Sequence, residues 1–121
     1  MFRFEKFEVW QESIQFADQV YDCTRGFPRE EQFGLTSQMR RAAVSVSSNI
    51  AEGTSRASDI EFARFVEIAY GSLMEIVSQS FVANRQSFPA TPAFNEIYSE
   101  TETIARKLSG LRSTLISSQK S

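Results

Sequence analysis

The chain has 121 residues, with 13 Lys and Arg against 15 Asp and Glu, one Cys and no His. Without histidine there is no Ser-His-Asp or Cys-His nucleophile and no His-bearing zinc site. A lone Cys23 cannot close an intrachain disulfide and points to a reduced, cytoplasmic setting.

The length suits one domain. The formal charge of −2 supplies no overall attraction to nucleic acid. The charge is uneven, however: residues 36–58 carry Arg40, Arg41 and Arg56 against Glu52 alone. Charges in Met1–Lys6 stand where a signal peptide needs an apolar stretch. No apolar run approaches the ~18 residues of a membrane helix.

The first expected helix covers 5–25. Phe7, Trp10, Ile14, Ala17, Tyr21 and Thr24 step by 3 and 4, an apolar stripe of helical period. A second stripe, Val9, Phe16, Val20 and Phe27, runs beside it. Two stripes mean two buried faces, so the second is the candidate oligomer interface. Gly26 and Pro28 supply the stop.

The second expected helix covers 35–52, with Thr36 as N-cap and Gly53 ending it. Leu35, Met39, Ala42, Ala43, Val46 and Ile50 set the period. Ala43–Ser47 also alternates with period two, but the helical period spans the whole segment.

The third covers 58–86, opened by a Ser58-x-x-Glu61 capping box. Phe62, Phe65, Val66, Ala69, Leu73, Ile76, Val77 and Ser80 form its stripe. The fourth covers 92–116, with Thr91 as N-cap and Pro92 at the first turn. Phe94, Ile97, Thr101, Ile104, Leu108, Leu111 and Leu115 follow. Residues 117–121 read as a frayed tail. Four amphipathic helices on short connections predict an all-α fold, an antiparallel up-down four-helix bundle.

Chemistry is sparse. The carboxylate-histidine metal site of such bundles lacks its histidines, and Glu52, Glu67 and Glu75 could in principle make an all-carboxylate one. No phosphate-binding glycine loop is present. No catalytic residue, metal ligand or cofactor is expected.

Arg41, Ser45, Asn49 and Glu52 fall at i, i+4, i+8 and i+11 on one helical face. Gly71, Ser72 and Glu75 form a small polar patch on the third helix. A glycine inside a helix costs about 1 kcal/mol against Ala, so Gly71 suggests a close helix approach, with Glu75 or Glu52 pairing Arg41. Such a network can fix helix register, join subunits, or hold an anionic ligand or RNA. Arg40, Arg41, Arg56 and Arg64 are the candidates for phosphate contact. Phe2, Phe4, Phe16, Phe27, Phe33 and Phe88 lie off the main stripes or at helix ends, as intersubunit anchors would.

Several motifs stand in order: Val9-Trp10-Gln11; Phe27-Pro28-x-Glu30-Glu31-x-Phe33-Gly34-Leu35-Thr36-Ser37-Gln38; Arg40-Arg41-Ala42; Ser45-Val46-x-Ser48-Asn49-Ile50-Ala51-Glu52-Gly53; and Ala69-Tyr70-Gly71-Ser72-Leu73-x-Glu75. In these the chain resembles the bacterial 23S ribosomal RNA intervening-sequence proteins from about Phe7 to Leu115. More distantly it is similar to the accessory variability determinant of diversity-generating retroelements, which is basic and engages nucleic acid, whereas this chain is acidic. The resemblance implies a homopentamer of four-helix bundles around a central channel. Its signature residues fall on Arg41, Ser45, Asn49, Glu52, Gly53, Gly71, Ser72 and Glu75. The expected function is a non-enzymatic assembly or scaffold role with the chain itself as partner. The alternative is RNA or DNA binding through arginines repeated around an oligomer.

Overall fold

The periodic segments wind into four long helices: α1 (Glu8–Arg25), α2 (Leu35–Thr54), α3 (Asp59–Arg85) and α4 (Thr91–Lys120). Short 3-10 turns precede α1 at Arg3–Lys6 and α2 at Arg29–Glu31, and there is no strand among the described residues. The computed structural model describes residues 1–88 and 91–120, leaving aside the side chains of Thr91, Gln119 and Lys120. The capping role expected of Thr91 therefore lies outside what is described.

The helices form a four-helix bundle in which α1 packs on α2 and α4, and α3 packs on α2 and α4. The core is made by Phe16 and Val20 from α1, Met39, Val46 and Ile50 from α2, Phe62, Leu73 and Ile76 from α3, and Ile97, Ile104 and Leu108 from α4, all fully buried. The hydroxyls of Ser13, Thr24, Ser47, Thr54, Ser80 and Thr101 enter this core by donating to carbonyls three or four residues back, which meets the requirement that a buried donor be paired.

The two stripes of α1 exchange the roles expected of them. Val9, Phe16, Val20 and Phe27 are buried within the single chain, so they are not an oligomer interface. Phe27 packs on Phe88 with ring centroids 5.6 Å apart. The other stripe is the half-exposed one: Ile14 is 40% exposed, and Trp10 lies against Phe4. Of the remaining off-stripe rings, Phe4 and Phe88 are half-buried, and Phe2 and Phe33 are exposed.

The helix ends also differ from expectation, each for a local reason. Residues 3–6 form a separate turn because Phe7 is extended and Arg3 Nη1 donates to the Thr54 carbonyl at the end of α2 (3.0 Å). Thr36 does not cap α2. It sits in the first turn, and the Glu31 carboxylate instead accepts from the Leu35 N–H (3.2 Å). Ser58 does cap α3, accepting from the Glu61 N–H at 3.2 Å. The end of α3 turns through Ser87 at φ 63°, with the Phe88 N–H returning to the Ala83 carbonyl (2.9 Å). This is the helix-ending loop usually built on glycine, made here without one. α4 continues to Lys120 instead of fraying after 116, and Ser118 donates to Asp59 Oδ2 (2.5 Å) in the first turn of α3.

Lys107 ties α4 to α1, donating to Glu8 at 2.6 Å and to Glu12. Its hydrogen bond and charge hold the Glu8 carboxyl below the ordinary carboxylate range. The hydrogen bonds that Lys107 donates to Glu12 and then to Glu8 hold it above the ordinary lysine value. The contribution of Glu8 is present at neutral pH and fades as pH falls through its lowered pKa. That of Lys107 is also present at neutral pH and fades only as pH rises through its raised pKa. Exposure keeps both small. Lys107→Met should return the Glu8 pKa upward to the ordinary range in a carboxyl-carbon NMR titration. An unchanged Glu8 titration would mean that the tie does not form in solution.

Candidate functional site

Three contacts fix how α2 and α3 lie against each other. Gln79 Nε2 donates to Gln38 Oε1 (3.4 Å), the Ser45 and Ser72 hydroxyls are 2.9 Å apart, and Gly53 faces Phe62 and Phe65. The contact residues run in opposite order along the two helices. Arg41, between Gln38 and Ser45, is therefore level with Glu75, between Gln79 and Ser72. Glu52, next to Gly53, is level with Arg64, next to Phe65.

The close approach expected at Gly71 is not there. A Cβ on Gly71 would meet nothing within 4 Å, whereas one on Gly53 would lie 2.6 Å from Phe62 Cδ1 and 3.0 Å from Phe65 Cβ. Gly53 is not a cap either, since α2 runs through it to Thr54. It is the point at which α2 lets the Phe62 ring pass.

The polar stripe comes together in part. Asn49 Nδ2 donates to the Ser45 carbonyl (2.8 Å) and to Ser45 Oγ (3.0 Å), and Ser45 meets Ser72. These three bridge α2 and α3 beside a groove of about 270 Å³ lined by Gln38, Arg41, Ala42, Ser45, Ser72 and Glu75. The expected pairing of Arg41 with Glu75 or Glu52 is absent. All three side chains are exposed, and no ion pair holds any of them among the described residues.

The four arginines do not gather into one patch. Arg40 is turned onto α1, with its guanidinium 4.6 Å from the Tyr21 ring centroid and Nε donating to Thr24 Oγ1 (2.8 Å). Arg56 lies 4.5 Å from the Phe65 ring centroid. Arg41 and Arg64 are exposed, each level with a carboxylate on the neighbouring helix. Glu67 is taken by Arg112 of α4 at 2.6 Å, away from Glu52 and Glu75. Among the described residues no cluster of three or more His, Cys, Asp or Glu could hold a metal ion. The Cys23 thiol is pushed above its ordinary value by burial first and by Glu96 second, which disfavours the reactive thiolate.

The outward surface of α2 and α3 also carries apolar side chains that the helical stripes pass over: Val44 is 46% exposed, Ile68 52% and Val82 51%. Their only signal in the sequence is that they are apolar at positions outside the core stripe.

A family model for the 23S rRNA-intervening sequence proteins matches residues 5–110, spanning α1 to α3 and most of α4. The chain belongs to that family. Among solved structures it is similar to a protein of unknown function from the S23 ribosomal protein family of Bacteroides thetaiotaomicron. The two are 20% identical, with a TM-score of 0.77, over 86% of this chain and 97% of that one. At that identity the likeness speaks for the fold. No curated protein matches the chain. The match to the 23S rRNA-intervening sequence family includes the whole α2–α3 surface, and neither name speaks of catalysis. No helix among the described residues is long and apolar enough to cross a membrane.

Proposed function

We propose that this member of the 23S rRNA-intervening sequence family is a non-enzymatic, cytoplasmic assembly protein, an up-down antiparallel bundle whose partner is itself. The observation that carries this is the exposure of Val44, Ile68 and Val82 on one surface of a chain whose core is already filled. Apolar groups grouped in water on a small domain mark an interaction surface. The family resemblance implies five copies around a channel, and a ring of that kind needs a repeated lateral contact on each subunit.

Nucleic-acid binding has less support. Arg40 is committed to Tyr21 and Thr24 within the chain, so each copy offers Arg41, Arg64 and the exposed Arg56 over the Phe65 ring.

Size-exclusion chromatography with light scattering at micromolar concentration tests the proposal. The expected mass is a whole multiple of the 13.7 kDa chain, five by resemblance. A 13.7 kDa particle throughout would overturn self-assembly. Absorbance at 260 nm above that of the protein alone, lost on adding salt, would favour nucleic-acid binding instead.

A further inference from the structure

We infer that copies of this chain meet with α2 of one against α3 of the next, at the same level, Arg41 facing Glu75 and Glu52 facing Arg64 across the contact. The inference rests on the self-assembly reading and names its surface and its pairing rule.

The Gln38–Gln79 and Ser45–Ser72 contacts put Arg41 level with Glu75, and the Gly53 contact puts Glu52 level with Arg64. Along α2 the surface therefore reads positive then negative, and at the same two levels α3 reads negative then positive. All four side chains are exposed and hold no ion pair among the described residues.

A charge pattern of this kind selects its own partner. Any rotation axis parallel to the helices keeps levels unchanged between copies, so α2 of one copy against α3 of another sets both pairs attractive at once. Under the same axis, α2 against α2 or α3 against α3 places Arg41 on Arg41, Glu52 on Glu52, Glu75 on Glu75 and Arg64 on Arg64; a two-fold axis across the helices would instead set Arg41 on Glu52 or Glu75 on Arg64, an arrangement that only one of the two reversals below would weaken. Specificity comes as much from that repulsion as from the attraction.

The surface between the two charged levels suits close contact. It carries Val44 and Ser48 on α2, and Ile68 and Gly71 on α3. Apart from its own helix backbone, no group among the described residues would stand within 4 Å of a Cβ at Gly71, so a neighbouring helix can approach its backbone there. This gives the interior glycine, which no packing within the chain explains, a physical reason.

The test is native mass measurement on the full chain and on two charge reversals, Arg41→Glu and Glu75→Arg, each checked for helical content by circular dichroism. Each reversal sets like charges against each other in the proposed contact. Each alone should raise the dissociation constant of the assembly about tenfold or more. An equimolar mixture should recover part of the lost assembly, because the carboxylate introduced on α2 of one variant then faces the guanidinium introduced on α3 of the other, while a ring of five keeps at least one contact between like variants. An assembled wild type with unchanged mass and dissociation constant in either folded reversal would overturn this contact while leaving self-assembly intact. A monomeric wild type would overturn both. If either reversal fails to fold, the neutral variants Arg41→Gln and Glu75→Gln serve, each with a smaller loss expected and no recovery on mixing. No loss in either would overturn the contact.

Discussion

Phe16→Ala should lower the unfolding free energy by about 3–5 kcal/mol, the range for deleting a buried ring that the surrounding core cannot fully replace. The side chain is completely buried, in the middle of the face that α1 turns to α2 and α4. Measured by urea unfolding at a concentration low enough to dissociate any assembly, the loss belongs to the single chain. Ile14→Ala, two positions away and 40% exposed, should cost well under half as much. If Phe16 were an intersubunit anchor, the dissociated chain would tolerate its loss and only the assembly would weaken.

Gly53→Ala should destabilise by about 1–3 kcal/mol through overpacking, although alanine is the better helix former by about 1 kcal/mol. The new methyl would stand 2.6 Å from Phe62 Cδ1 and 3.0 Å from Phe65 Cβ. The Phe62 ring is 1% exposed and sits edge-on against Phe7, so it has little room to move aside. Gly110→Ala is the matched control. Its methyl would enter open space on α4, so the change should stabilise by about 0.5–1 kcal/mol. Opposite signs for the same substitution in two helices separate packing from propensity. Two stabilising changes would mean that α2 and α3 do not approach at Gly53.

The four helices are legible because apolar residues recur with the helical period over long stretches, and the connections are short. What periodicity cannot decide is which of two adjacent stripes faces inward. On α1, Trp10, Ile14, Ala17 and Tyr21 make the unbroken series, while Ser13 interrupts Val9, Phe16 and Val20. Ser13 donates to the Trp10 carbonyl, however, and so enters the core at little cost. That reverses the reading, and it depends on a hydrogen bond that residue type does not announce.

The glycines mislead for a related reason. Gly53 precedes a polar connection and so resembles a helix stop, yet Phe62 and Phe65, brought up by the following helix, are what require it. Gly71 suggests a close approach within the chain and has none there. The candidate polar stripe was legible as a face, since i, i+4, i+8 and i+11 must share one. The failure of Arg41 to pair was not, because the level of α2 against α3 is set by three tertiary contacts that spacing along one helix does not contain. The four arginines look alike in sequence, and only the rings of Tyr21 and Phe65 distinguish those already engaged.

Hydroxyl-radical footprinting of the unmodified chain, at one concentration where it is assembled and one where it is dispersed, tests most directly whether copies meet on the α2–α3 surface. Ile14, 40% exposed on α1, serves as the internal reference. With a second copy seated on α2 and α3, Val44 and Ile68 should oxidise several-fold more slowly relative to Ile14 in the assembled sample. Equal relative rates at both concentrations, in a sample whose mass confirms assembly, would contradict it.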